Sequence, residues 1–168
     1  MPRHELAQLN IATLIAPIDS PTLADFVARL DEINALAESA PGFVWRFKEE
    51  SADGPGALAP FHDDQIVNFS TWHSPEALHD YVYRTAHAEV MARRREWFSR
   101  MRDAYTVLWW VPAGHRPNPS EAHARLERLR ADGPTAEAFT FKRPFPVPGT
   151  TAPDRGADEG FADLCPAG

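Results

Sequence analysis

Apolar residues recur at two spacings along this chain, and the spacing changes wherever Pro, Gly and Ser cluster. From His4 to Ile15 a weak alternation becomes an apolar run through Leu6, Leu9, Ile11, Leu14 and Ile15, the pattern of a mostly buried strand. Ser20-Pro21 pairs a helix cap with a proline at the first helical position. Leu23, Phe26, Val27, Leu30, Ile33 and Ala37 then keep helical spacing, which predicts a helix over about 21–39, stopped by Pro41-Gly42. Phe43 to Glu50 alternates Phe43, Trp45 and Phe47 against Val44, Arg46 and Lys48, a half-buried strand. Ser51 to Pro60 is a Gly-, Pro- and Ala-rich loop, and Gln65 to His73 is a third strand. Ser74-Pro75-Glu76 repeats the cap and opens a helical region reaching about Tyr105. Val107 to Val111, apolar on both sides, reads as a central strand that Pro112 stops.

The order β-α-β-β-α-β predicts an α+β fold: the ferredoxin-like split-βαβ arrangement, an antiparallel sheet with both helices on one face. The other face then needs cover, because sheets rarely leave an aromatic-rich face to solvent. Sheet-to-sheet pairing of two chains, a homodimer, is the expectation. Beyond the core, Ser120 to Ala131 has a cap at Ser120, apolar Leu126 and Leu129, and Gly133-Pro134 as a stop, a third and thinner helix. Ala138 to Phe145 alternates and should add an edge strand. The expected organisation is one domain over 1–149, with a core at 4–112, an extension at 113–149, and a flexible tail over 150–168 that only Phe161 and Leu164 would dock.

Composition narrows the function. At 168 residues, 43% of them hydrophobic, the chain is long enough for a core, and its apolar runs are too short to cross a bilayer. The N-terminus lacks a signal-peptide core, so a cytoplasmic protein is expected. A formal charge of −7 argues against nucleic acid as a partner. The single Cys165 allows no intrachain disulfide. His62, Asp63, Asp64, His73 and His79 do not have metal-ligand spacing, and His79 is expected on the outer side of its helix. Arg46 reads as an exposed strand arginine, with a carboxylate or a propionate as its other possible partner. Prolines are absent between Glu76 and Val111, whereas nine of the 16 lie from Pro112 onward.

His87 stands three residues before Val90 and four before Met91, so on a continuous helix it shares their apolar side. There it is either a base or metal ligand, or a core histidine bonded to a backbone carbonyl. Gln8 and Asn10 share a strand face with Leu6, and Asn68 and Ser70 share one with Trp72. If Leu9, Ile11, Val67 and Phe69 pack under the helices, these polar residues face the opposite cavity. A few polar groups on an apolar wall suit a small ligand, or else satisfy one another at a dimer interface. Trp109 and Trp110 point to opposite faces, one into the core and one into the cavity.

The segment Thr71-Trp72-His73-Ser74-Pro75-Glu76-Ala77-Leu78, ending in Thr85-Ala86-His87, resembles the strand-to-helix passage of the dimeric α+β barrel superfamily. With Leu6-Ala7-Gln8-Leu9-Asn10, Arg95-Glu96-Trp97-Phe98 and Leu108-Trp109-Trp110-Val111-Pro112, the chain is similar to an uncharacterised bacterial branch near the antibiotic-biosynthesis monooxygenases. That superfamily includes cofactor-independent oxygenases of aromatic polyketides, haem-degrading monooxygenases, other haem enzymes, and isomerases or cyclases. The resemblance implies an enzyme of a hydrophobic, aromatic or polyketide-like metabolite held between sheet and helices, with monooxygenase-like oxidoreductase chemistry. By that resemblance His87, Asn10 and Trp72 are the catalytic set, with Tyr81 at the helix position where haem-degrading members carry tryptophan. Gln8, Asn68, Ser70, Tyr81, Met91 and Trp110 are the substrate-binding set. The cofactor is none or haem: His87 acts as a base without it, or as the iron ligand with it. The alternatives are a non-redox cyclase or isomerase, and a non-catalytic binding protein.

Overall fold

The computed structural model describes residues 3–49, 58–85 and 87–150. Its elements are β1 (His4–Thr13), α1 (Ala24–Ser39) entered through a 3-10 turn at Pro21–Leu23, β2 (Phe43–Arg46), β3 (Gln65–Trp72), α2 (Pro75–Arg84), α3 (His87–Ala92), β4 (Thr106–Pro112) and α4 (Pro119–Asp132). The four strands form one antiparallel sheet in the order β2-β3-β1-β4, the ferredoxin-like α+β topology. Most of the expected loop over 51–60 and all but the first residue of the expected tail, with Phe161 and Leu164, lie outside the described residues. Among the described residues no helix is long and apolar enough to cross a membrane.

Register fixes the two faces. Leu6, Gln8 and Asn10 stand opposite Trp72, Ser70 and Asn68 on one side and Trp110, Leu108 and Thr106 on the other, so all share a face. That face lies under α1 and α2, where Leu6, Trp72 and Leu108 pack with Ala37, Leu78 and Tyr81. The reverse face carries Ala7, Leu9, Ile11, Phe69, Val107, Trp109 and Val111, and α4 covers it with Ala122, Leu126 and Leu129. The condition framed from the sequence is therefore reversed: Leu9, Ile11 and Phe69 pack under α4, and the polar residues face α1 and α2. The face expected to need a second chain is covered from within this one, which removes the reason for sheet-to-sheet pairing.

Local departures have local causes. Ser74 caps α2, its side chain accepting from the Ala77 amide at 3.2 Å, with Pro75 next. The helix does not continue to Tyr105. Thr85 is extended (φ −117°, ψ 179°), and its hydroxyl donates to the Tyr81 carbonyl at 2.5 Å and accepts from the His87 amide at 3.2 Å. These side-chain bonds compete with the helical ladder, and only the six-residue α3 and a 3-10 turn at Arg94–Glu96 follow. On β2 one extra residue falls between Phe43, opposite Trp72, and Trp45, opposite Thr71. This bulge puts Phe43 and Arg46 on the α1 and α2 face and Trp45 on the other, breaking the expected alternation. α4 is capped by Asn118, which accepts from Glu121 at 2.8 Å, rather than by Ser120. The expected edge strand over 138–145 is reduced to isolated bridges: Phe139 exchanges both backbone bonds with Leu108 of the sheet at 2.8 Å, while Ala138 pairs with Thr135 and Thr140 with Arg143.

Candidate functional site

A cavity of about 90 Å³ lies between the sheet and the helices α1 and α2. His87, Asn10, Trp72, Gln8, Asn68, Ser70, Tyr81 and Met91 line it. Trp110 does not. It lines a groove of about 520 Å³ formed with Phe139, Phe141 and Phe145, and its indole Nε1 donates to the Phe145 carbonyl at 3.0 Å. Trp109, on the reverse face, is fully buried and donates to Glu121 at 3.2 Å.

The floor is a hydrogen-bonded row set by strand register. Ser70 Oγ accepts from Gln8 Nε2 at 2.9 Å and from Trp72 Nε1 at 2.8 Å, leaving the serine proton to donate. Gln8 Nε2 reaches Asn68 Oδ1 only at 3.5 Å, and Asn68 is exposed at the mouth. Asn10 Nδ2 donates to Thr106 Oγ1 at 2.8 Å, which orients its amide. Above the row Tyr81 stacks on Trp72, with centroids 5.3 Å apart and planes 25° from parallel, and donates to the Ile33 carbonyl at 3.2 Å. Burial pushes the Tyr81 phenol up to about 12, against a small lowering by Arg46, so at neutral pH it is a protonated donor.

His87 is the first residue of α3. Its Nδ1 lies 3.3 Å from the Val82 carbonyl, and its ring is 5.1 Å from the Tyr81 ring. A carbonyl only accepts, so this contact selects the tautomer with the proton on Nδ1 and the lone pair on Nε2. Burial lowers the His87 pKa below 6.5, and the bond to Val82 opposes that shift only in part. The ring is therefore neutral at pH 7 and able to take a proton. Both sequence readings of His87, cavity histidine and carbonyl-bonded histidine, describe the same ring.

Several lining residues escaped the sequence reading: Asn34, Phe43, Tyr105, Thr106 and Phe141. Asn34 had a signal, since it follows Leu30 by four on the apolar stripe of α1. Arg46 is half-buried rather than exposed, and its Nε donates to Glu38 Oε1 at 2.7 Å. That bond, with the charge of Lys48, holds the Glu38 carboxyl below its usual range. His79 is half-buried beside Tyr83 and Phe141, not on the outer side of its helix. Among the described residues no three His, Cys, Asp or Glu side chains converge on a metal position.

Size constrains the occupant. Pockets for drug-sized ligands run to roughly 300–1,000 Å³, and this one, at about 90 Å³, suits at most a single ring. A porphyrin or polycyclic polyketide is several times too large, and Arg46, for which a propionate was the alternative partner, already holds Glu38. The residues present do not fit haem.

Two solved structures are similar. A protein of unknown function from Nitrosomonas europaea aligns at 18% identity and a TM-score of 0.42, over 70% of this chain and 96% of its own. SnoaB, a cofactor-independent oxygenase from Streptomyces nogalater, aligns at 16% identity and a TM-score of 0.41, over 67% of this chain and 95% of its own. No curated protein matches the sequence. Residues 5–155 match the family described as domain of unknown function DUF3291, to which the chain therefore belongs.

Proposed function

We propose that this protein is a small enzyme in which His87 Nε2 acts as general base on a single-ring, enolisable or phenolic molecule, in a cofactor-free oxygenase reaction. The observation that supports it is the half-buried, neutral His87 at the cavity wall, its Nδ1 proton directed to Val82. The base removes the substrate proton, and the serine proton of Ser70 and the amide of Asn10 stabilise the resulting oxyanion. Dioxygen is the oxidant. It takes up electrons from the anion, one of its oxygen atoms becomes a carbonyl on the substrate carbon, and the other leaves as water with the proton taken by His87 and the hydrogen lost from that carbon. The oxygen step rests on the sequence resemblance to the antibiotic-biosynthesis monooxygenases, and the proton step rests on His87 itself.

Dioxygen uptake against a panel of single-ring phenols and quinols tests this. His87→Gln is expected to lower the rate at least about 100-fold. The wild-type rate is expected to fall on the acid side with a midpoint below 6.5, because His87 must be neutral to act. Full turnover by His87→Gln would remove the base. Substrate conversion without dioxygen uptake would convert the reading to an isomerase or cyclase using the same base.

A further inference from the structure

A second chamber, of about 60 Å³, adjoins the His87 cavity and has Asn10, Met91 and Tyr105 in common with it as walls. Arg94 and Ser99 also line it, and no Asp or Glu does. Of the half-buried arginines, Arg29, Arg46, Arg93 and Arg130 each have a carboxylate within 4 Å, and Arg125, which lines neither chamber, donates to the Glu137 carbonyl at 2.8 Å. Arg94 has no such carboxylate among the described residues. Its Nη1 donates to Tyr105 Oη at 3.1 Å, and its guanidinium lies 5.3 Å from the centre of the Tyr105 ring. One hydrogen bond and one ring face hold the side chain but occupy one of five donors. The open donors of this half-buried guanidinium are available to a ligand in the chamber, and its planar fork matches a carboxylate.

We propose that Arg94 is an anion subsite and that the ligand of this protein is a single-ring carboxylate. Its acid group lies against Arg94 and Tyr105, and its ring lies in the cavity with Trp72, Tyr81 and His87. Met91, unbranched and adaptable, is the side chain that yields between the two chambers. The inference rests on the reading above for where the ligand sits, but not for what becomes of it.

The test is binding of benzoate against its uncharged counterpart benzamide, measured by calorimetry on the full chain without turnover. Wild type is expected to prefer benzoate by about tenfold or more, the scale of a charge-assisted bond pair. Arg94→Gln is expected to erase that preference while keeping benzamide affinity, and Arg94→Lys to restore part of it. Should Arg94→Gln fail to fold, Tyr105→Phe, which frees the guanidinium from its anchor, is expected to reduce the preference severalfold. Equal binding of the two probes by wild type, binding of neither, or a preference that survives at both Arg94 and Tyr105 overturns the subsite. A benzoate preference in a protein that consumes no dioxygen would keep the subsite and discard the oxygenase.

Discussion

Ser70 shows how much of the site was open to sequence reasoning. Period-2 alternation puts Gln8 and Asn10 on one face and Asn68, Ser70 and Trp72 on another, and neither strand length nor composition is needed for that step. What alternation leaves open is which polar group answers which. That depends on register, and the register sets Ser70 opposite Gln8, so that one hydroxyl serves both the glutamine and the Trp72 indole. Gln8 is 9% exposed and Trp72 1%, so water has little access to either donor. Ser70→Ala therefore removes the acceptor of two buried donors and is expected to cost about 2 kcal/mol, more than an exposed hydroxyl would. Urea denaturation followed through tryptophan fluorescence measures it. A cost under about 0.5 kcal/mol would mean that water replaces the hydroxyl and that the row is wetter than its burial implies.

Existence and type of the main elements followed from spacing, while their interruptions did not. The β2 bulge adds one residue without leaving a Gly or Pro to mark it, yet it decides that Arg46 rather than Trp45 reaches the cavity. The break before α3 depends on the Thr85 hydroxyl, a side-chain choice that apolar periodicity does not register. Gly42 is the opposite case, because Pro41-Gly42 was legible as the stop of α1 and the structure adds why the residue is glycine. Its φ is +83°, its carbonyl accepts from His73 at 2.8 Å, and a Cβ there would stand 2.5 Å from the Ala77 Cβ of α2. Gly114 has a similar φ of +87° with nothing within 4 Å of the same imagined atom. Gly114→Ala is expected to cost only the conformational term of about 1–2 kcal/mol. Gly42→Ala carries in addition the displacement of α2, about 3 kcal/mol in all. Equal denaturation midpoints for the two variants would show that α2 moves aside freely.

At the scale of the molecule, the sequence identified two apolar faces and one of them as covered by α1 and α2, but it settled neither which residues lie there nor that α4 covers the other. Both faces alternate with apolar residues, Leu6 and Leu108 on one and Leu9 and Ile11 on the other, so the pattern states which residues are together but not what lies above them. The thin stripe of α4 looked accessory, yet Leu126 is fully buried and Leu129 is 5% exposed over Leu9, Phe69 and Trp109. A chain pairing sheet to sheet would have to lift α4 away. Each Leu→Ala exchange there is expected to cost about 2–5 kcal/mol, and the two together approach the whole stability of a typical domain at roughly 5–15 kcal/mol. Leu126→Ala with Leu129→Ala is therefore expected to loosen α4, bare an aromatic face, and produce species that grow with concentration in light scattering, where wild type does not associate through that face. A dimer built on another surface would keep its mass in both proteins. If the double variant kept wild-type stability and scattering, α4 would not be the cover of this sheet, and the second chain expected from the sequence would regain its place.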